Sequence, residues 1–533
     1  MNSVDDDSTT DVKPPPGTLA PGAGALRQQV VSGVGWKLAT QAVVQATRIV
    51  VGVVLARVLV PRDFGLASMA LLFVGLVSVF TDLSLGAALI ARRTISENDR
   101  CTAFWTTVLA GAACAGGGVA AAPLVGRLFS TPAVVPLFAV TSTIFLITSL
   151  SSTQIALLNR EMSFRSLQLR EMAGATTGGA VGVALALLGA GAWALVLQAI
   201  VAETVSLALV WRFSPWRPQA RYSIESLRRL GSFAGKTSGA RVLGYVNLNA
   251  DNFLIARFLG AAPLGVYAVA YNVMFAPLAR LAAPIQQVLF PAFALIAEDR
   301  RRAGAAWLRG TRVVAAASVP AFVGLAVVAP DFVPVVLGAR WHKAVPVLQL
   351  LCLAGLSQSL QTLNHSMLQA LDRAGALLAF MIFSATVTVS SFAIGLHWGI
   401  VGVAAGFAAA RTIVLPVFTT VVSRAAQIRP LAFVRSILPV VEVSTIMGVL
   451  AYGMRLALVH AGVAAGIRLA VVIAAGAIVY VALLARREPG FVAEAVALAR
   501  RRGKGSRSEA ATGSPGMPTK VERGDLGEER EQQ

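Results

Sequence analysis

The sequence predicts an all-α integral membrane protein of about fourteen helices: two parallel, pseudo-symmetric six-helix lobes around a central cavity, with two further helices after them. Three observations carry this prediction. Of 533 residues, 56% are apolar and only 14% charged, with a mean hydropathy of +0.70, whereas soluble chains are roughly 45–50% apolar and about 25% charged. Apolar stretches recur from about residue 32 to about residue 485, each long enough to cross roughly 30 Å of hydrocarbon. Third, VVGVVLARVLVPRDFGLASMA (50–70) returns 200 positions later within NADNFLIARFLGAAPLGVYAVA (249–270), with Ala56/Ala256, Arg57/Arg257, Leu59/Leu259, Gly65/Gly265 and Ala70/Ala270 identical. A repeat this long marks a duplicated half-molecule rather than a solenoid.

In chain order, residues 1–29 hold Asp5-Asp6-Asp7 and Pro14-Pro15-Pro16 without an apolar run. They read as a disordered tail, not a cleaved signal peptide. Helices are expected at about 32–58, 66–90, 104–128, 134–158, 172–190, 192–213, 231–258, 264–290, 310–337, 345–370, 374–396, 398–423, 437–459 and 463–485. They divide into lobes 30–222 and 223–430 and an added pair in 431–485; residues 486–533 are charged, Gly/Ser-rich and expected to be disordered. The spans are Ala/Val/Leu/Gly-rich and show no sustained ten-residue alternation, which argues against an outer-membrane barrel.

Arginines gather in alternate loops: Arg92, Arg93 and Arg100; Arg160, Arg165 and Arg170; Arg217, Arg221, Arg228 and Arg229; Arg300, Arg301, Arg302 and Arg309; Arg373; Arg424, Arg429 and Arg435. The opposite loops carry only Arg62, Arg127, Arg340 and Lys343. The excess of positive loops on one side puts both termini in the cytoplasm of a multi-pass protein of the cell membrane. An even number of helices separates the two copies, so the halves run in the same direction about an axis along the membrane normal. The same loops account for the net charge of +20, which implies no nucleic-acid partner.

Charges inside spans are costly, about 2.5–3.5 kcal/mol each near a helix centre. Lys37, Arg48, Asp82, Glu203, Lys236, Arg241, Asp251, Arg280, Arg411 and Glu442 are such charges. In the first helix Lys37, Gln41, Gln45 and Arg48 fall within roughly an 80° arc. The 200-residue shift reproduces a polar stripe in the seventh helix: Thr237, Arg241, Tyr245, Asn249 and Asn252, with Asp251 beside it. A pseudo-twofold axis sets these faces opposite each other across a central cavity. Lys37 and Lys236 either snorkel to the cytoplasmic surface or join the cavity. Arg57 and Arg257, at the outer ends, favour snorkelling or pairing; Arg48, Arg241 and Arg280 are deep enough for the cavity. Glu203 and Glu442 stand alone in their helices. Pro277 and Pro284 flank Arg280 and predict a kink there. Glycine runs such as Gly116-Gly117-Gly118 and Gly174–Gly182 lie inside spans, where small residues admit close packing; they are not phosphate cradles.

Three cysteines (Cys101, Cys114, Cys352) and four scattered histidines (His342, His365, His397, His460) give no metal-ligand spacing. Soluble-enzyme motifs and a nucleotide-binding domain are absent from the sequence, so neither catalysis nor a cofactor is expected.

LARVLVPRDFGLASMA (55–70), Asp82, GAALIAR (86–92), NREMSFR (159–165), Asp251-Asn252, ARFLG (256–260), Gly265-Val266-Tyr267, Phe290-Pro291-Ala292, GARW (338–341) and Ala344-Val345-Pro346 resemble the bacterial polysaccharide and oligosaccharide-lipid flippases. These are the polysaccharide transporters of the multidrug/oligosaccharidyl-lipid/polysaccharide exporter superfamily, and the resemblance covers roughly residues 30–425. It implies two facing six-helix bundles with alternating access. The implied cargo is an O-antigen or exopolysaccharide repeat unit on undecaprenyl pyrophosphate, moved from the inner to the outer leaflet. The implied partners are lipid-linked oligosaccharide, membrane lipids and a polysaccharide polymerase. With that cargo, Lys37, Arg48, Arg241 and Arg280 suit pyrophosphate. Gln41, Gln45, Tyr245, Asn249 and Asn252 suit sugar hydroxyls, and Asp82 and Asp251 are candidates for a coupling proton or cation. A cation-coupled multidrug exporter and a lipid II flippase on the same fold are the alternatives. A multidrug site calls for a more acidic, aromatic cavity than these stripes provide. A membrane enzyme such as a polymerase or glycosyltransferase calls for a large polar loop with catalytic groups, and the outer loops are only a few residues long.

Overall fold

The structure, a computed structural model, describes residues 23–81, 85–92 and 94–490. The described residues form α-helices joined by short turns, with no strand among them. The first half holds α1 (Ala23–Val58), α2 (Pro61–Thr81), α3 (Leu85–Ala91), α4 (Glu97–Leu128), α5 (Val134–Thr141), α6 (Thr143–Arg160), α7 (Phe164–Leu187) and α8 (Ala192–Phe213). The second holds α9 (Ile224–Phe258), α10 (Ala261–Pro277), α11 (Ala283–Leu295), α12 (Arg300–Phe332), α13 (Ala344–Leu360), α14 (Thr362–Ala370), α15 (Ala374–Gly395) and α16 (Gly399–Ala425). The last pair is α17 (Pro430–His460) and α18 (Ala465–Arg487).

The protein is a multi-pass membrane protein: ten stretches among the described residues are long and apolar enough to cross a bilayer. One of them, Ala374–Ala425, contains both α15 and α16. Helices α2, α7 and α9 fall outside that set, so the ten stretches do not reproduce the expected fourteen one for one.

Helices α1 and α4–α8 pack mainly on one another, as do α11–α16, and α17 and α18 lie against α12. On α7, Gly174 and Gly178 lie against the backbone of α8 at Ala202 and Gln198, the close packing expected of that run. Gly116 and Gly117 do not share that role, because a Cβ there would meet open space. The crossing of α2 with α10 is the main contact between halves. There a Cβ on Gly65 would strike the Ala261 carbonyl, and a Cβ on Gly265 would strike the Pro61 carbonyl. Positions 61/261 and 65/265 are equivalents at the 200-residue shift, so the duplicated segments pack on each other across the pseudo-axis.

The end carrying these turns is further closed by the segment after α12. Trp341 is fully buried, donates from Nε1 to the Ala56 carbonyl (2.7 Å) and meets Phe64 edge-on at 5.2 Å. Arg57 donates to the Val335 and Val336 carbonyls, the latter at 3.1 Å, and Arg340 to the Val58 carbonyl at 3.3 Å. Arg57 therefore pairs rather than snorkels. In the first half, buried Phe129, which follows α4, packs against Phe253 (6.0 Å) and Phe73 (5.7 Å). At the opposite end the connection between halves is tied to the start of α4. Ser96 and Asp99 form a capping box there. Trp216 donates to Glu97 (2.6 Å), Trp105 to the Gln219 carbonyl (2.8 Å), and Arg229 pairs with Asp99 at 3.0 Å.

Candidate functional site

Arg48 stands where two cavities meet. The first, about 1050 Å³, lies mainly within the first half between α1, α2, α3, α6, α7 and α8, with Asn272 of α10 also lining it. The second, about 1120 Å³, lies between α1, α10, α12, α17 and α18. Arg48, Phe64 and Asn272 line both. Each exceeds the roughly 300–1,000 Å³ of pockets for drug-sized ligands.

The first cavity is polar. Arg48 pairs with Glu171 at 3.3 Å, both side chains partly exposed to the cavity at 58% and 36%. Arg170 donates to Ser206 Oγ at 2.9 Å. Glu203, half-buried on α8, lies within electrostatic reach of Arg170 and Arg48. Alone in its own helix, it is not alone in space. A run of hydroxyls on α6 forms the opposite wall, with Thr148, Ser151 and Ser152 among them.

The second cavity is largely apolar, walled by Met447 of α17 and by Val472, Ile473, Ala477 and Val481 of α18. Its polar groups are Gln45, Arg48, Asn272, Arg280 and Tyr480, whose hydroxyl donates to the Ala316 carbonyl at 2.7 Å. Arg280 sits in a π-turn, Leu278–Ala282, that joins α10 to α11 after Pro277. This turn lies between the two prolines and widens the helix by one residue, and Arg280 within it lines the cavity.

The structure thus brings Gln45, Arg48 and Arg280 together at one site. Half-buried Gln41 lies one turn before Gln45 on α1. Tyr245 reaches across the halves instead, donating to the Leu72 carbonyl at 2.6 Å and filling the space beside Gly75. Asn249 donates to the Tyr245 carbonyl (3.0 Å). Asp251 is 3% exposed inside the second half, accepting from Tyr267 Oη (2.8 Å) and the Asn252 amide (2.7 Å). Asn252 Oδ1 is buried without a partner among the described residues. Arg411 stacks over Phe407 at 5.0 Å, and Glu442 pairs with Arg487 at 3.4 Å. The backbone of Lys37 and Arg241 belongs to α1 and α9, but their side chains, like Asp82 as a whole, lie outside the described residues.

Sequence reasoning missed Arg170, Glu171 and the hydroxyl wall, and gave Glu203 no partner. Arg170 looked like part of a positive loop, and the Ser/Thr run of α6 like ordinary span composition. The signal was present in their spacing: Thr148, Ser152 and Asn159 share one face of α6, as Gln198, Ala202, Glu203 and Ser206 share one of α8.

Two lobes packed across a pseudo-axis, with large cavities reaching into the membrane region, define a transporter-type membrane fold. The chain belongs to the polysaccharide biosynthesis protein family, whose model matches residues 54–346. It is 29% identical over 413 residues to the lipopolysaccharide biosynthesis protein WzxC of Escherichia coli (strain K12), covering 76% of this chain and 82% of that one. It is 26% identical to the teichuronic acid biosynthesis protein TuaB of Bacillus subtilis (strain 168), covering 87% and 97%. With the succinoglycan biosynthesis transport protein ExoT of Rhizobium meliloti (strain 1021) it shares 27% identity over 61% and 66% of the two chains. In fold it is similar to the lipid II flippase MurJ in an inward closed conformation, with a TM-score of 0.70 at 15% identity over 85% of this chain and 100% of that one. A multidrug resistance MATE family transporter in an inward-facing conformation gives 0.60 at 14% identity over 72% and 94%.

Proposed function

We infer that this protein is a flippase that carries undecaprenyl-pyrophosphate-linked oligosaccharide from the inner to the outer leaflet of the cell membrane, a transporter rather than a catalyst. The observation that carries the reading is the placement of Arg48 and Arg280 on one cavity that is polar on one side and apolar on the other. An amphiphile with an anionic headgroup fits that division. Guanidinium groups pair with phosphate oxygens, and the apolar wall of α17 and α18 suits a polyprenyl chain. Lys37 and Arg241 complete the pyrophosphate site; Gln41, Gln45, Tyr245, Asn249 and Asn252 meet sugar hydroxyls, the last three as α9 moves, and Asp82 and Asp251 serve coupling. The arginine-rich loops support cytoplasmic termini, which makes the α2–α10 crossing the outer end. Closed there, the molecule faces inward, and lobes 30–222 and 223–430 rock about that end. A polysaccharide polymerase receives the cargo.

The test uses a strain deleted for the gene and restored with full-length variants at equal membrane levels. Loss of a charge-assisted contact costs about 1.5–3 kcal/mol, so Arg48→Ala and Arg280→Ala are each expected to slow surface polymer export by about tenfold or more. Export at the normal rate by both overturns the assignment. Loss of drug resistance with intact polymer points instead to the multidrug alternative.

A further inference from the structure

Resting on the flippase reading and deepening it, we propose that the cavity within the first lobe is the glycan subsite, that it takes an uncharged, hydroxyl-rich sugar, and that Glu203 sets this preference. The wall opposite Glu203 is built to accept hydrogen bonds. Thr148, Ser149 and Ser151 of α6 spend their own hydrogens on carbonyls of the preceding turn, at 2.8, 2.8 and 2.9 Å. Their oxygen lone pairs remain for a ligand's hydroxyl donors. Glu203 adds a stronger acceptor. Its carboxylate lines the cavity and makes no hydrogen bond or ion pair among the described residues. A carboxylate has two acceptor oxygens and no donor, and its bonds from O–H groups are charge-assisted. Two neighbouring hydroxyls of one sugar ring supply the matching pair of donors.

Charge balance decides which sugar. Among the described residues, the charged ones that line the cavity are Arg48, Arg170, Glu171 and Glu203, two cations against two anions. A neutral sugar leaves that balance intact. A uronic acid brings a third carboxylate into a space walled by low-dielectric helices, beside Glu203 and Glu171, where it tips the balance to net negative. Both its desolvation and the like-charge contact oppose binding. The arrangement of Arg48 between the two cavities places pyrophosphate at the junction, so the first sugar attached to it enters this lobe.

The experiment titrates the full-length protein in nanodiscs with three probes: undecaprenyl pyrophosphate, the same carrier bearing one glucose, and the same carrier bearing one glucuronic acid. The glucosyl carrier is expected to bind more tightly than the bare carrier, and about tenfold or more tighter than the glucuronosyl carrier. Glu203→Gln keeps the side chain's shape and is expected to shrink that discrimination, read as the ratio of the two glycosyl carriers' affinities in the same variant, to about threefold or less, with an unchanged thermal melt and a monodisperse gel-filtration peak as the control for folding. Equal binding of all three probes by the unaltered protein, a preference for glucuronate, or full discrimination by Glu203→Gln overturns the subsite but leaves the flippase reading standing. Failure of the bare carrier to bind the unaltered protein overturns the flippase reading, and this proposal with it.

Discussion

Asp331 lies near the last turn of α12, 2% exposed, with Arg455 of α17 on one oxygen at 2.6 Å and Arg468 of α18 on the other. The guanidinium side chains are each 15% exposed. One carboxylate thus ties both added helices to the second lobe. Removing one member of a buried ionic cluster strands the others without a countercharge and costs about 3–5 kcal/mol. Asp331→Ala is therefore expected to lower the thermal melting point of the purified full-length protein more than Arg455→Ala, which leaves Arg468 paired. A melt unchanged by Asp331→Ala shows that the carboxylate does not hold the pair. None of these three residues stood out in the sequence. They sit at span ends, where a charge reads as bound for water, and the arginines lie 124 and 137 positions from Asp331. Arg48 and Arg280 were legible because mid-span charge has no such ordinary explanation. Glu203 was legible as a charge but not as a member of a site, since Arg170 and Arg48 belong to other helices. Asp251 and Tyr245 were equally visible, but their partners, Tyr267 and the Leu72 carbonyl, follow from packing that periodicity does not encode.

At the scale of elements, the turn-and-helix pattern repeated in α2 and α10 was legible, and so was the break at Pro277. The sequence did not reveal that the two copies pack on each other. Identity at Gly65 and Gly265 reads equally well as a turn requirement, yet each position is tight against the other copy's backbone carbonyl, at Ala261 and Pro61. A side-chain clash relaxes by a rotamer change; a clash with a carbonyl moves a helix. Gly265→Val is expected to part α2 from α10 at the outer end. Asn272→Cys, which lines both cavities, reports the outcome in a background lacking the three native cysteines. A membrane-impermeant maleimide added outside is expected to label it in the Gly265→Val protein and to leave it unlabelled with Gly265 intact. Absence of labelling in both shows that this crossing does not seal the outer face. The asymmetry of α9, which leans onto α2, α3 and α4 while α1 stays on α7, had no counterpart in the sequence, where both helices carry the same polar stripe.

For the whole molecule, the closed end is held by two clamps, one from each half, that differ in the contacts they make. Phe129 reaches from the first lobe to Phe253 by ring contact alone. Trp341 reaches back with a hydrogen bond to Ala56 and a ring contact to Phe64, and Arg57 and Arg340 exchange further bonds with backbone carbonyls on either side. Under the alternating access that the proposed flippase function entails, this end opens, and the clamps then set the balance between inward-facing and outward-facing forms. Truncating a buried tryptophan costs about 3–5 kcal/mol. If only the inward-facing form contains the clamp, about 3 kcal/mol moves the ratio of the two forms roughly a hundredfold, at 1.4 kcal/mol per factor of ten. Trp341→Ala is therefore expected to populate an outward-open form that is scarce in the unaltered protein, and Phe129→Ala to do so less. Spin labels at Arg127→Cys and His342→Cys, both exposed at this end on opposite lobes, read the balance as a distribution of distances. A new longer distance in Trp341→Ala, weaker in Phe129→Ala, is the expected result. One unshifted distance in both variants means that the clamp persists in every state and that the lobes move about it as a fixed hinge.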